Sequence, residues 1–170
     1  MVAVGDKFPS GVKFMYVPYL PENSDIKACG IPTPLDADKV FAGKTVVIVS
    51  IPGSFTPTCT ANHIPPYVEN LSALKSKGVD LVICLSANDP FVQSAFGKAS
   101  GVADEDFIFA CDPAAEFSKS IGYTLDLPPM LGTRTARYAL IVKDGVITYM
   151  KKEDGGDVTV SGYEAVSAAL

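Results

Sequence analysis

Apolar, β-branched runs that lead into proline-marked helix starts constrain this fold more than any other feature of the sequence. Thr45 to Ile51 is one such run, followed by Thr56-Pro57; Val79 to Leu85 is a second, followed by Asn88-Asp89-Pro90. A polar cap with proline at the first helical position is a strong helix start, so both segments read as strand–turn–helix units. The second helix is expected to run to Gly101, and Asp112-Pro113 opens a third near Ala114 to Ser120. Tyr138 to Val142 and Val146 to Met150 are strand-like and flank Lys143-Asp144-Gly145, whose Asp-Gly step favours a tight hairpin. Gly162 to Leu170 has the composition of a closing helix. Parallel strands with crossover helices, then an antiparallel hairpin, predict an α/β fold with a central mixed β-sheet flanked by helices on both faces.

A thioredoxin-like architecture fits that order of elements. With 170 residues and 48% hydrophobic content the chain can bury one sizeable core, and a single domain over 1–170 is expected. The formal net charge is −5, and Lys and Arg cluster no further than pairs such as Lys151-Lys152, which argues against nucleic acid or an anionic membrane as partner. No stretch approaches the roughly 18 apolar residues of a membrane span. Met1 to Phe14 lacks the basic-then-apolar order of a secretory signal. Ala168-Ala169-Leu170 shares only its leucine with the peroxisomal Ser-Lys-Leu address, so a cytoplasmic location is expected, with a peroxisomal one as the alternative. Pro18 to Pro34 is the one linker-like stretch.

Four cysteines stand at positions 29, 59, 84 and 111, and no two form a C-x-x-C pair, so each thiol is read singly. Cys84 lies in Leu81-Val82-Ile83-Cys84-Leu85, a run suited to a strand buried on both faces, and reads as core. Cys111 closes Phe107-Ile108-Phe109-Ala110-Cys111 and reads as packing, with a peripheral redox role as the alternative. Cys59 differs, because Thr56 as N-cap and Pro57 as first residue place it in the opening helical turn, where unpaired N–H groups favour an anion. Such settings lower thiol pKa values from ~8.5 into a range of about 3.5–7.5, which makes a cysteine there a candidate nucleophile. His63, the only histidine, follows four residues later on the same helical face; a structural or pocket-wall role is expected ahead of a general base. Pro65-Pro66 removes backbone donors, so a kink should separate a short helical piece, Pro57 to about Ile64, from a longer helix, Pro66 to Lys77. The short piece is expected to unwind once Cys59 is oxidised, letting its sulfur reach a second thiol.

Pro52-Gly53-Ser54-Phe55-Thr56-Pro57-Thr58-Cys59 contains Pro-x-x-x-Thr-x-x-Cys and resembles the motif of the type II, peroxiredoxin-five class of peroxiredoxins. The likeness continues through His63, Pro65, Leu85 to Phe91, Asp112-Pro113 and Arg137, from roughly Phe41 to the C-terminus, and its pattern is nearest to fungal alkyl hydroperoxide reductases, the thioredoxin peroxidases. The resemblance implies a thioredoxin-like fold, reduction of hydrogen peroxide and alkyl hydroperoxides, and no metal or organic cofactor. By position, Cys59 would be the peroxidatic cysteine that becomes a sulfenic acid. Thr56 would set its hydroxyl on the peroxide or thiolate, Pro52 would shield the thiolate from water, and Arg137 would stabilise thiolate and peroxide oxygens. Arg134 is close in sequence, but Arg137-Tyr138-Ala139-Leu140 leads into the strand as the family arginine does.

The departure from the family lies in the resolving cysteine. Animal members carry it between the hairpin and the last helix, whereas Gly145 to Leu170 contains none. Cys29, in Lys27-Ala28-Cys29-Gly30-Ile31-Pro32, resembles the upstream cysteine of fungal members, which forms an intersubunit disulfide with the peroxidatic cysteine. The resemblance therefore implies a homodimer, with an unlinked Cys29 or participation of Cys111 as alternatives. It implies thioredoxin as reductant if that disulfide forms, and glutaredoxin with glutathione if it does not. A peroxide sensor, redox relay or chaperone on the same fold remains an alternative, as does a binding module with an inert Cys59. Phe55, Phe91, Pro128, Met130 and Leu131 are candidates for an apolar mouth, for core or for a dimer interface.

Overall fold

The computed structural model describes residues 2–127 and 129–170, so Pro128 lies outside the described residues. The strands are β1 (Lys13–Tyr16), β2 (Thr33–Asp36), β3 (Thr45–Ser50), β4 (Leu81–Ser86), β5 (Phe107–Cys111), β6 (Thr124–Asp126), β7 (Thr133–Thr135), β8 (Tyr138–Lys143) and β9 (Val146–Lys152). Seven of them form one sheet in the order β2-β1-β5-β4-β3-β8-β9, and β6 pairs with β7 separately. β3, β4 and β5 are parallel, while β8 runs antiparallel to β3 and β9 antiparallel to β8. The helices are α1 (Ala37–Val40), α2 (Pro65–Glu69), α3 (Leu71–Ser76), α4 (Pro90–Ala99), α5 (Glu116–Ser120) and α6 (Tyr163–Ala168). This is the expected thioredoxin-like α/β fold.

The central strands are apolar on both faces because both faces are covered. Val46, Ile48, Ile83, Leu85, Leu140 and Val142 pack on one side with Phe14, Phe41 and Phe117. Val47, Val49, Val82, Cys84, Ala139 and Ile141 pack on the other with Ile64, Tyr67, Leu74, Phe96 and Val166, and Cys59 belongs to this second cluster. At the start of α4, Asp89 Oδ1 accepts from the N–H groups of Phe91 (2.9 Å) and Val92 (3.0 Å). In the hairpin, Asp144 and Gly145 have φ of 47° and 74°, the left-handed pair a two-residue primed turn requires.

Several local expectations are corrected. The antiparallel β1–β2 pair precedes the parallel strands, and the stretch read as a linker ends inside β2; Pro34 is tolerated because β2 is an edge strand. The helix expected from Ala114 begins at Glu116, since Ala114 and Ala115 are left-handed at φ 53° and 54°. Asp112 nevertheless caps that helix from a distance, accepting from Phe117 N (3.0 Å) and Ser118 N (2.9 Å). The helix expected from Pro66 to Lys77 breaks at Asn70 (φ −111°, ψ 20°), whose side-chain amide donates to the Pro66 carbonyl.

Candidate active site

The site forms at the C-terminal end of β3, where parallel strands of an α/β sheet deliver their loops. Because β8 is antiparallel to β3 with Ser50 opposite Tyr138, Arg137 lies beside the chain as it leaves β3. Thr135 Oγ1 fixes that exit by donating to the Ile51 carbonyl (2.8 Å). Half-buried Pro52 follows, and the next turn is tied to the second strand–helix junction by Ser54 N donating to Asn88 Oδ1 (2.9 Å). Phe55 has a left-handed φ of 60°, which leaves its ring exposed and edge-on to Phe96.

Pro57 and Thr58 are helical, and Thr60 N still makes the α-type bond to the Thr56 carbonyl (3.0 Å). The next turn widens: Cys59–His63 is a π-helical turn in which Ile64 N reaches the Cys59 carbonyl at 3.2 Å. Pro65 and Pro66 have no N–H to continue the α ladder, so the expected kink takes the form of a π turn. Thr56 departs from its expected N-cap role. Its hydroxyl donates to the Gly53 carbonyl (2.7 Å), so the side chain closes its own turn and its oxygen is left as an acceptor.

Cys59 is 1% exposed. Arg137, also buried, points Nη1 at the Cys59 sulfur (3.4 Å) and at His63 Nδ1 (3.0 Å). Its Nε is buried with no hydrogen-bond partner among the described residues. His63 Nε2 lies 2.9 Å from the Ser161 carbonyl and 3.1 Å from Ser161 Oγ. Burial pushes the His63 imidazole down to about 4, against the opposing pull of its hydrogen bond to Ser161, so the ring is neutral near pH 7. A neutral ring that donates from Nε2 presents a lone pair on Nδ1 to Arg137.

This burial has a pH signature. An unfolded imidazole titrates near 6.5, so between that value and about 4 the unfolded chain binds a proton that the folded protein refuses. The contribution is complete above pH 6.5 and is lost on acidification toward pH 4, a difference of about 3 kcal/mol. Thermal denaturation should show a falling midpoint across this window, and His63→Gln should remove that part of the fall; equal slopes in the two proteins would contradict the assignment.

The other thiols are placed differently. All four cysteines are free; Cys29 is exposed, while Cys84 and Cys111 are buried. Burial pushes Cys84 well above the ordinary thiol value and Cys111 up to about 11. The loop bearing Cys29 is anchored to α4 by Lys98 Nζ, which donates to the carbonyls of Ala28 (2.8 Å) and Asp25 (3.2 Å). Arg134 Nε donates to the Leu131 carbonyl (2.8 Å), a different engagement from that of Arg137. Phe55, Phe91, Met130 and Leu131 are exposed, which removes the core reading for each of them. Ser161 and Glu153 escaped sequence reasoning, because a serine and a glutamate on either side of a polar, glycine-containing loop look like solvated surface.

A sequence model of the Redoxin family matches residues 3–166. A Lipomyces kononenkoae protein provisionally named a peroxisomal peroxiredoxin is 70% identical over 165 residues, covering 97% of this chain and 99% of that protein. Peroxiredoxin AHP1 of Chaetomium thermophilum is 40% identical over 168 residues, covering 98% and 93% of the two chains. Among solved structures, reduced Prx3 of Vibrio vulnificus in complex with hydrogen peroxide superposes with a TM-score of 0.86 at 35% identity, covering 99% of each chain.

Proposed function

The chain belongs to the Redoxin family and is a peroxiredoxin, a peroxide-reducing enzyme, and from that premise we propose that Cys59 is its peroxidatic nucleophile, served by Arg137, Thr56 and Pro52. The observation that carries the reading is the 3.4 Å approach of Arg137 Nη1 to the Cys59 sulfur inside a buried pocket. A guanidinium there sets a positive charge and an N–H donor beside the attacking sulfur, where charge develops as the peroxide bond breaks. The unpartnered Nε of Arg137 supplies a further donor for a peroxide oxygen, since a buried donor without a partner is otherwise costly. The Thr56 oxygen, whose own proton goes to Gly53, accepts from the hydroperoxide O–H, and Pro52 keeps water from the sulfur.

The thiolate attacks the terminal peroxide oxygen; the S–O bond forms as the O–O bond breaks. The leaving oxygen takes up a proton and departs as alcohol, or as water from hydrogen peroxide, and Cys59 becomes a sulfenic acid. Cys29 of a second copy then attacks the sulfenic sulfur, forming a disulfide and releasing water. A thioredoxin dithiol returns both cysteines to thiols and is itself oxidised to a disulfide. The exposure of Cys29 supports this assignment, and burial disfavours the Cys111 thiolate that a competing route needs. A single domain over 1–170 carries these groups, acting as a homodimer. The location is cytoplasmic or peroxisomal, and the name of the Lipomyces relative supports the second.

Peroxide consumption coupled to NADPH through thioredoxin and its reductase tests the cycle. Sustained turnover of many equivalents is expected, exceeding that with glutaredoxin and glutathione. A single stoichiometric reaction that stops would make the protein a sensor or relay.

A further inference from the structure

We propose that Glu153 is a positioning residue for the peroxide reaction: by holding the Ser161 hydroxyl as an acceptor it fixes His63 in the tautomer that keeps the Arg137 guanidinium on Cys59. The inference rests on Arg137 serving Cys59 as proposed above. Glu153, just past the end of β9, is buried, and its carboxylate accepts four hydrogen bonds: from Thr159 N (2.7 Å), Thr159 Oγ1 (2.6 Å), Ser161 N (2.7 Å) and Ser161 Oγ (2.8 Å). Burial raises its carboxyl, but the bonds from Thr159 and Ser161 outweigh that and hold it below the ordinary value, so it is ionised near neutral pH. A carboxylate is an acceptor only, and this fixes the direction of every bond that follows.

The Ser161 hydroxyl gives its proton to Glu153, so toward His63 its oxygen can only accept. The Ser161 carbonyl is likewise an acceptor, at 2.9 Å from His63 Nε2, and it also receives the Tyr67 hydroxyl (2.7 Å). Two acceptors facing Nε2 require the proton to be there. In a neutral ring Nδ1 is then a bare lone pair, and one Nη1 proton of Arg137 goes to it while the other points at the Cys59 sulfur. Glu153 acts on Arg137 a second time, because its backbone N–H donates to the Arg137 carbonyl (2.9 Å). Without the charge on Glu153, the Ser161 hydroxyl is free to donate to Nε2. That permits the opposite tautomer, whose Nδ1 proton opposes the guanidinium.

Nitrogen-15 NMR of the imidazole tests this directly, since His63 is the only histidine and its signals need no assignment. The wild-type enzyme is expected to show the neutral Nε2–H tautomer. Glu153→Gln is expected to populate the Nδ1–H form and to slow the peroxide reaction roughly ten- to hundredfold, the scale of a misplaced catalytic group. Ser161→Ala keeps the carbonyl acceptor and removes the alternative donor, so it should keep the Nε2–H tautomer and lose less rate; it carries the test if Glu153→Gln fails to fold. An Nδ1–H tautomer in the wild type or in Ser161→Ala overturns the inference. So does a Glu153→Gln enzyme that is only less heat-stable, with tautomer and peroxide rate unchanged. A wild-type enzyme whose Cys59 does not react with peroxide overturns the reading of the site as well, which separates the two failures.

Discussion

Arg137→Met is expected to slow the reaction of reduced enzyme with hydroperoxide by about 10²–10³-fold, the usual cost of removing a donor aimed at developing charge. Methionine keeps much of the apolar stem, so the loss falls on the guanidinium. Both Nη1 contacts disappear, the one to the Cys59 sulfur and the one to His63 Nδ1. The donor available at Nε goes with them. Arg137→Lys should recover little, because a single ammonium cannot reproduce a planar fork serving two partners and a substrate. Arg134→Met is the control: that side chain is engaged with the Leu131 carbonyl, and its loss should leave the peroxide step close to wild type. Rapid-mixing or competition kinetics read the step without recycling, and an Arg137→Met enzyme as fast as wild type would sink the proposed role.

The second large effect concerns the other half of the cycle. Cys29→Ser should leave the first equivalent of peroxide reacting at the normal rate, then stop, with thioredoxin-supported turnover lost. Non-reducing gels of peroxide-treated wild type should show a crosslinked dimer that the variant lacks, while Cys111→Ser retains it. The reason lies in accessibility. Cys59 is buried in its π turn and Cys29 is exposed on a loop held to α4 by Lys98, so the turn must open before the sulfurs meet. Amide exchange across Thr58 to Ile64 should therefore be faster in the disulfide form than in the reduced enzyme. A crosslinked dimer that survives Cys29→Ser would assign resolution to another thiol.

What was legible in the sequence is what local chemistry encodes. The runs that became β3 and β4, the Asp-Gly hairpin and the Asp89-capped helix each carry their signal within a few residues, and so does the stretch from Pro52 to Cys59. β1 and β2 were not legible, being four residues each and built from mixed polar and apolar side chains, one of them a proline. The proline pair announced a break after Cys59 but not its form, because a π turn depends on which carbonyl the next free N–H can reach. Thr56 has the identity of an N-cap, yet the tight turn at Gly53 captured its hydroxyl first. His63, Ser161 and Glu153 form one unit across a separation of 98 residues, which no local pattern reports.

Thiol trapping with a dimedone-type reagent, followed by peptide mass spectrometry, identifies the sulfur that the peroxide oxidises. In Cys29→Ser protein given one equivalent of hydroperoxide, a near-stoichiometric sulfenic acid adduct is expected on the Cys59 peptide and none on those of Cys84 and Cys111. An adduct on either of those two, or consumption of the peroxide with Cys59 still a free thiol, would contradict it.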